Sequence, residues 1–134
     1  MNAVDTSVVV AAFATWHEQH GVALRAVSEG TRLIGQVALE SYAVLTRLPA
    51  SHRAPPSLVR EFLAKDFPGT TLVLSAREHH QFLSLCAARE IAGGAIYDAC
   101  IAAIAARAGA TLVTLDRRAL PTYESMGAKV QLLN

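Results

Sequence analysis

Short apolar runs alternate with longer stretches of helical spacing, and turn residues separate them. Asn2 to Asp5 reads as a short strand and Thr6 to Trp16 as an apolar helix. A second helical stretch, Gln19 to Ser28, stops at Gly30. Thr31 to Gly35 reads as a strand, followed by a helix from Val37 to Leu48 that Pro49 ends. Pro55-Pro56 opens a further helix, Ser57 to Phe67, and Pro68-Gly69 turns the chain into a β-branched strand, Thr71 to Leu74. Ser75 caps a helix running to about Glu90, and Gly93-Gly94 interrupts the pattern. Asp98 to Ala108 is an almost wholly apolar helix with Gly109 as its natural terminator. Thr111 to Leu115 is apolar enough to be buried on both faces, as in a parallel sheet. A short helical turn after Asp116 and a last strand, Lys129 to Leu133, complete the chain. This order predicts an α/β domain over residues 1–134 with a largely parallel sheet and helices on both faces.

Composition narrows the class further. Hydrophobic residues make up 52% of the 134 positions and charged residues 17%. Such a chain buries enough surface to offset its ordering entropy, which excludes intrinsic disorder. No apolar run approaches the roughly 18 residues of a bilayer span, and no basic stretch precedes Val8 to Ala14. No membrane association and a cytoplasmic location are therefore expected. Cys86 and Cys100 stand in apolar stretches without a C-x-x-C spacing, which predicts buried thiols. Twelve basic against 11 acidic residues name no partner. Ten of the twelve are arginine, but GC-rich coding inflates Arg and Ala alike.

Four acids stand in unusually apolar company: Asp5 in N-A-V-D, Glu40 in V-A-L-E-S-Y, Asp98 in D-A-C-I-A-A-I and Asp116 in T-L-V-T-L-D. Any one of them could serve as a helix cap or first-turn acid. Together they stand at strand carboxyl ends and the starts of helices, which share one edge of an α/β sheet. Carboxylates gathered there repel one another unless a cation neutralises them. Mg²⁺ or Mn²⁺ takes oxygen ligands of this kind, and acidic clusters holding such ions hydrolyse phosphodiesters. Without the four acids the rest of the chain carries a balance of +5, which suits an RNA backbone. Arg117 and Arg118, directly after Asp116, are candidate phosphate contacts, although a solvated pair on a short helix explains them as well.

The stretches V-D-T-S-V-V-V, E-S-Y-A-V-L-T-R-L, Y-D-A-C-I-A-A-I-A-A and G-A-T-L-V-T-L-D, in this order and over this length, resemble the PIN-domain ribonucleases, and among them the VapC-type toxins of toxin–antitoxin pairs. The resemblance implies a three-layer α/β/α sandwich with a short, mostly parallel sheet. It implies a metal-dependent endoribonuclease with Asp5 and Asp98 as principal metal ligands. Glu40 and Asp116 would complete the cluster directly or through water, with Thr114 as the supporting hydroxyl. It further implies Mg²⁺, with Mn²⁺ as a substitute, a cognate antitoxin that covers the acidic site, and a homodimer.

Other readings are weaker. His17-Glu18-Gln19-His20 departs from H-E-x-x-H because its second His comes one residue early. An aspartyl phosphatase wants a second Asp two residues after the first, where this chain has Ser7. A phospho-acceptor receiver wants a lysine at a late strand end, and Lys129 stands at a strand start. A non-catalytic binding module, with the acids as caps and apolar helices forming a dimer or partner interface, is the remaining alternative. Trp16 and the aliphatic stripes are expected in the core.

Overall fold

The computed structural model describes residues 1–28 and 30–134. In chain order these form β1 (Asn2–Val4), α1 (Thr6–Phe13), α2 (His20–Ala26), α3 (Gly35–Thr46), α4 (Pro56–Asp66), α5 (Ala76–Ala88) and α6 (Ala95–Arg107). After them come β2 (Thr111–Thr114), a 3₁₀ turn (Arg117–Ala119), α7 (Leu120–Ser125) and β3 (Lys129–Leu132). The strands lie in the order β1-β2-β3, all parallel, with Val4 opposite Val113 and Val113 opposite Gln131. Ala3, Val4, Leu112 and Val113 are all buried. Neighbours on a strand face opposite sides, so helices cover both faces of the sheet. The α/β layering expected from the element order is the one observed.

Two expected strands are not formed as ladders. Thr31 to Gly35 and Thr71 to Leu74 each contribute single bridges, Ala3 to Arg32 and Ile34 to Leu72. Helices cut them short. α3 takes over at Gly35, and Ser75 caps α5 with a reciprocal Ser75–Glu78 capping box. The bridging bonds, Arg32 N–H to Asn2 O at 2.8 Å and Leu72 N–H to Leu33 O at 2.8 Å, continue the parallel arrangement outward from β1. Gly35 permits this approach, since a Cβ there would sit 2.9 Å from a Val73 methyl.

Helix boundaries shift where long-range partners intervene. α1 ends at Phe13 instead of Trp16, with the His20 ring bonded to the Ala11 carbonyl at its end (2.8 Å). Trp16 is consequently outside the core, half exposed and edge-on to His52 at 4.4 Å. α6 begins at Ala95, after Gly93 in a left-handed conformation (φ +62°), and Gly109 (φ +68°) follows its end. Cys86 and Cys100 are buried free thiols, with burial the leading influence raising both above the usual thiol range. No helix among the described residues is long and apolar enough to cross a membrane.

One continuous core links the sheet to α1, α3, α4, α5, α6 and α7. Its one buried orphan among the described residues is the Ser41 hydroxyl on α3. An unpaired buried hydroxyl costs more than the methyl that would replace it. Ser41→Ala should therefore leave the chemical-denaturation midpoint unchanged or raise it. Leu112→Ala, which opens a cavity in the central strand, should lower stability by about 2–5 kcal/mol in the same assay.

Candidate active site

Asp5 follows the last residue of β1 and caps α1, its Oδ1 accepting the Val8 N–H at 3.3 Å. It is only 2% exposed, so its charge must be matched by donors. Ser7 donates its hydroxyl to Oδ1, and Thr114 and Tyr123 donate theirs to Oδ2, the latter at 2.8 Å. The Ser7 oxygen in turn accepts the Leu115 N–H at 2.9 Å, and Thr114 Oγ1 accepts the Asp116 N–H at 2.9 Å. Hydroxyls at positions 7 and 114 thus tie the end of β1 to the end of β2. Burial and the Asp5 charge hold the Tyr123 phenol far above its ordinary value, so it remains a donor throughout the working pH range.

The other three acids surround this point. Asp116 lies two residues past β2 and caps the 3₁₀ turn through the Arg118 N–H at 3.0 Å. Glu40 accepts the Thr6 hydroxyl at 3.2 Å and the Gln36 amide at 2.8 Å. Side-chain capping accounts for Asp5 and Asp116, while Asp98 is a first-turn acid of α6 that makes no capping bond and Glu40 is neither. Glu40 lies beyond the first turn of α3, and Asp98 is the fourth residue of α6, whose cap position is Gly94. The expected start of that helix at Asp98 is thus three residues late. Asp98 accepts no hydrogen bond among the described residues. Burial first, then the charges of Glu40, Asp116 and Asp5, raise its carboxyl above the ordinary carboxylate value, while Arg118 acts weakly the other way.

Among the described residues no three His, Cys, Asp or Glu side chains converge closely enough to hold one ion directly. The reason is local. Asp5, Glu40 and Asp116 are each turned toward their own donors, and Asp98 alone keeps its lone pairs free. This donor set fits Mg²⁺ or Mn²⁺ nonetheless. Mg²⁺ is commonly held by one or two carboxylates, with water and phosphate oxygens filling the remaining positions.

The basic candidates divide. Arg118 reaches the site, its Nε 3.6 Å from Asp116 Oδ1, although the side chain is largely exposed. Arg117 is exposed, and its side chain has no ion-pair or hydrogen-bond partner among the described residues. Lys129 pairs with Thr111 at the amino ends of the parallel strands, on the edge opposite Asp5 and Asp116. A receiver-type lysine is thereby excluded. His17 and His20 turn to different partners, the Gln19 N–H and the Ala11 carbonyl, so they make no zinc pair. Ser7, Gln36 and Tyr123 are site residues that sequence reasoning missed. Ser7 stood within the V-D-T-S motif, but nothing local marked Tyr123, 118 positions from its partner.

Comparison with known proteins adds the following. A family model, PIN domain, matches residues 3–124. Ribonuclease VapC40 of Mycobacterium tuberculosis, in strains CDC 1551 / Oshkosh and ATCC 25618 / H37Rv, is 45% identical over 133 residues, covering 99% of each chain. Ribonuclease VapC27 of strain ATCC 25618 / H37Rv is 41% identical over 130 residues, 96% of this chain and 93% of that one.

Two measurements follow from the site's electrostatics. Tyr123→Phe removes one donor from a buried carboxylate and should cost about 1.5–3 kcal/mol in urea unfolding at pH 7. Asp98→Asn should do the opposite in EDTA. A carboxyl raised in the folded state binds more protons folded than unfolded, so its stability penalty is complete above the folded value and absent below the unfolded one. The melting temperature of Asp98→Asn should thus exceed that of the wild type at pH 7, and the gap should close as pH falls toward about 4.

Proposed function

The chain belongs to the PIN-domain family, and from that premise we propose that it is a divalent-metal-dependent endoribonuclease acting through Asp5, Glu40, Asp98 and Asp116. The observation that carries the reading is the state of Asp98. It is a half-buried carboxylate without a protein donor, raised first by burial and then by three neighbouring acids, at the carboxyl edge of a parallel sheet. That edge is where ligands of α/β proteins bind. The names of the relatives, ribonucleases of similar length and 41–45% identity, support RNA as the substrate.

In this reading Asp5 and Asp98 hold the metal. Asp98 suits the role because its lone pairs are free, and Asp5 would join it through an oxygen that one of its hydroxyl donors, Ser7 or Thr114, gives up while the other donors hold the carboxylate in place. Glu40 and Asp116 act through water, Glu40 held by Thr6 and Gln36 so that it orients the attacking water. Thr114 keeps Asp5 in position, and Arg118 neutralises a substrate phosphate. The bound ion supplies a water of lowered pKa and offsets charge developing on the phosphodiester. The protein's contribution is the fixed placement of these groups, which lowers the barrier by holding the reacting atoms in line.

The reading extends to a toxin restrained by an antitoxin that covers the acidic edge, and to a homodimer. Exposed Leu39, Tyr42, Leu58, Val73 and Tyr97 offer apolar surface for such partners. The decisive experiment is cleavage of total cellular RNA by the purified protein in Mn²⁺ or Mg²⁺, with EDTA and Asp98→Asn as controls. Defined fragments should form with either ion, disappear in EDTA, and fall at least about 100-fold in Asp98→Asn and Asp5→Asn. Undiminished cutting by both variants would overturn the assignment of the site.

A further inference from the structure

Beside the acidic cluster lies an open cleft of about 400 Å³, with Ser7, Asp116, His17 and Gln19 among its lining residues. We propose that this cleft is a nucleobase subsite, seating a base of the RNA strand next to the phosphate that Arg118 faces, with Gln19 and His17 reading its edge. The inference rests on the nuclease reading above and adds to it a specificity site that the acidic cluster does not contain.

Three observations point to a base. Val10, Val44 and Leu115 line the cleft with aliphatic surface suited to the faces of a planar heterocycle. Two polar groups at its border have unused hydrogen-bonding capacity. The Gln19 side-chain amide, a donor and an acceptor together, has no partner among the described residues. The His17 Nδ1 accepts the Gln19 backbone N–H at 3.0 Å, which places the ring proton of the neutral imidazole on Nε2 and leaves it as a donor. An amide offering both a donor and an acceptor matches a base edge, whereas a phosphate diester offers acceptors only. Finally, Arg118 and Asp116 border the same cleft, so a strand whose phosphate meets Arg118 leads its neighbouring base inward.

The chain section that builds this wall is the H-E-Q-H segment, which has no role in metal binding. It is held as a turn by the His17 N–H to Ala14 O bond at 3.0 Å and by the His20 ring on the end of α1. A fixed turn keeps Gln19 in place before the substrate arrives, which reduces the ordering cost of recognition.

Base preference is the direct readout. RNA oligonucleotides randomised around the cut should be cleaved in Mn²⁺ by the wild type, Gln19→Leu, Gln19→Glu and His17→Ala, and the products sequenced. At one position beside the cut, Gln19→Leu and His17→Ala should flatten the preference by about ten-fold, and Gln19→Glu, which loses the amide donor, should change the favoured base. A second arm needs no catalysis. Each of the four nucleoside monophosphates, and ribose 5-phosphate, is titrated into methyl-labelled Asp98→Asn protein. At least one nucleotide should shift the Val10 and Val44 methyl resonances through the ring current of its base, while ribose 5-phosphate does not. An unchanged cleavage profile in all three variants, with silent valine methyls, overturns the base subsite and leaves the nuclease standing. Methyl shifts in Asp98→Asn, together with no RNA cut by the wild type in either ion, would support the subsite and overturn the nuclease reading instead.

Discussion

The buried carboxylate of Asp5 is the interaction on which the site depends. Its backbone N–H bonds to the Val113 carbonyl at 3.1 Å, joining β1 to β2, and its own carbonyl accepts the Val9 N–H at the start of α1. Its side chain then accepts from Ser7, Val8, Thr114 and Tyr123. One residue therefore ties a strand, the helix that follows it, the neighbouring strand and α7. Charged hydrogen bonds of this kind are worth about 1.5–3 kcal/mol each, and only such a set offsets the burial of a carboxylate. The carboxylate is thus fixed in position at the sheet edge before any ligand arrives.

Of the remaining acids, Asp116 is placed by a strand that Asp5 anchors, and Glu40 and Asp98 by helices packed beside it. Parallel pairing of β1 with β2 sends both strands out at one edge, so Asp5 and Asp116 emerge side by side. α3 adds Glu40 from beyond its first turn, and α6 adds Asp98 from its first turn without a capping bond. The difference matters chemically. A carboxylate that accepts from free helix N–H groups has its lone pairs occupied, whereas Asp98 carries an unmatched charge among like charges. An oxygen-rich site with unbalanced negative charge suits a hard divalent cation better than it suits a protein cation.

Exposed apolar surface and a basic balance away from the four acids are two further properties of the same fold. Tyr42 and Leu39 on α3, Leu58 on α4 and Tyr97 on α6 remain outside the core, although one continuous core is already closed beneath them. Two of the helices carrying them, α3 and α6, are the ones that bring Glu40 and Asp98 to the sheet edge. A partner covering this surface would therefore act close to the acids, and would need no rearrangement of the strands.

The sequence by itself determined the alternation of strands and helices, the parallel character of Thr111–Thr114, the helix stops at Gly109 and the Ser75 cap, and the four acids in apolar surroundings. These features are legible because periodicity, capping and burial preference act within a few residues. Only the tertiary structure decided that Thr31–Gly35 and Thr71–Leu74 narrow to bridges, because a strand exists only where a neighbour completes its ladder and helices claimed their ends. It also decided that Trp16 lies outside, that α6 starts ahead of Asp98, and that Tyr123 reaches Asp5 across 118 positions. The cleft between His17, Gln19 and Val44 belongs to the same class. Its walls come from the α1–α2 turn, from α3 and from the end of β2, and no local pattern records which side chains packing will bring face to face.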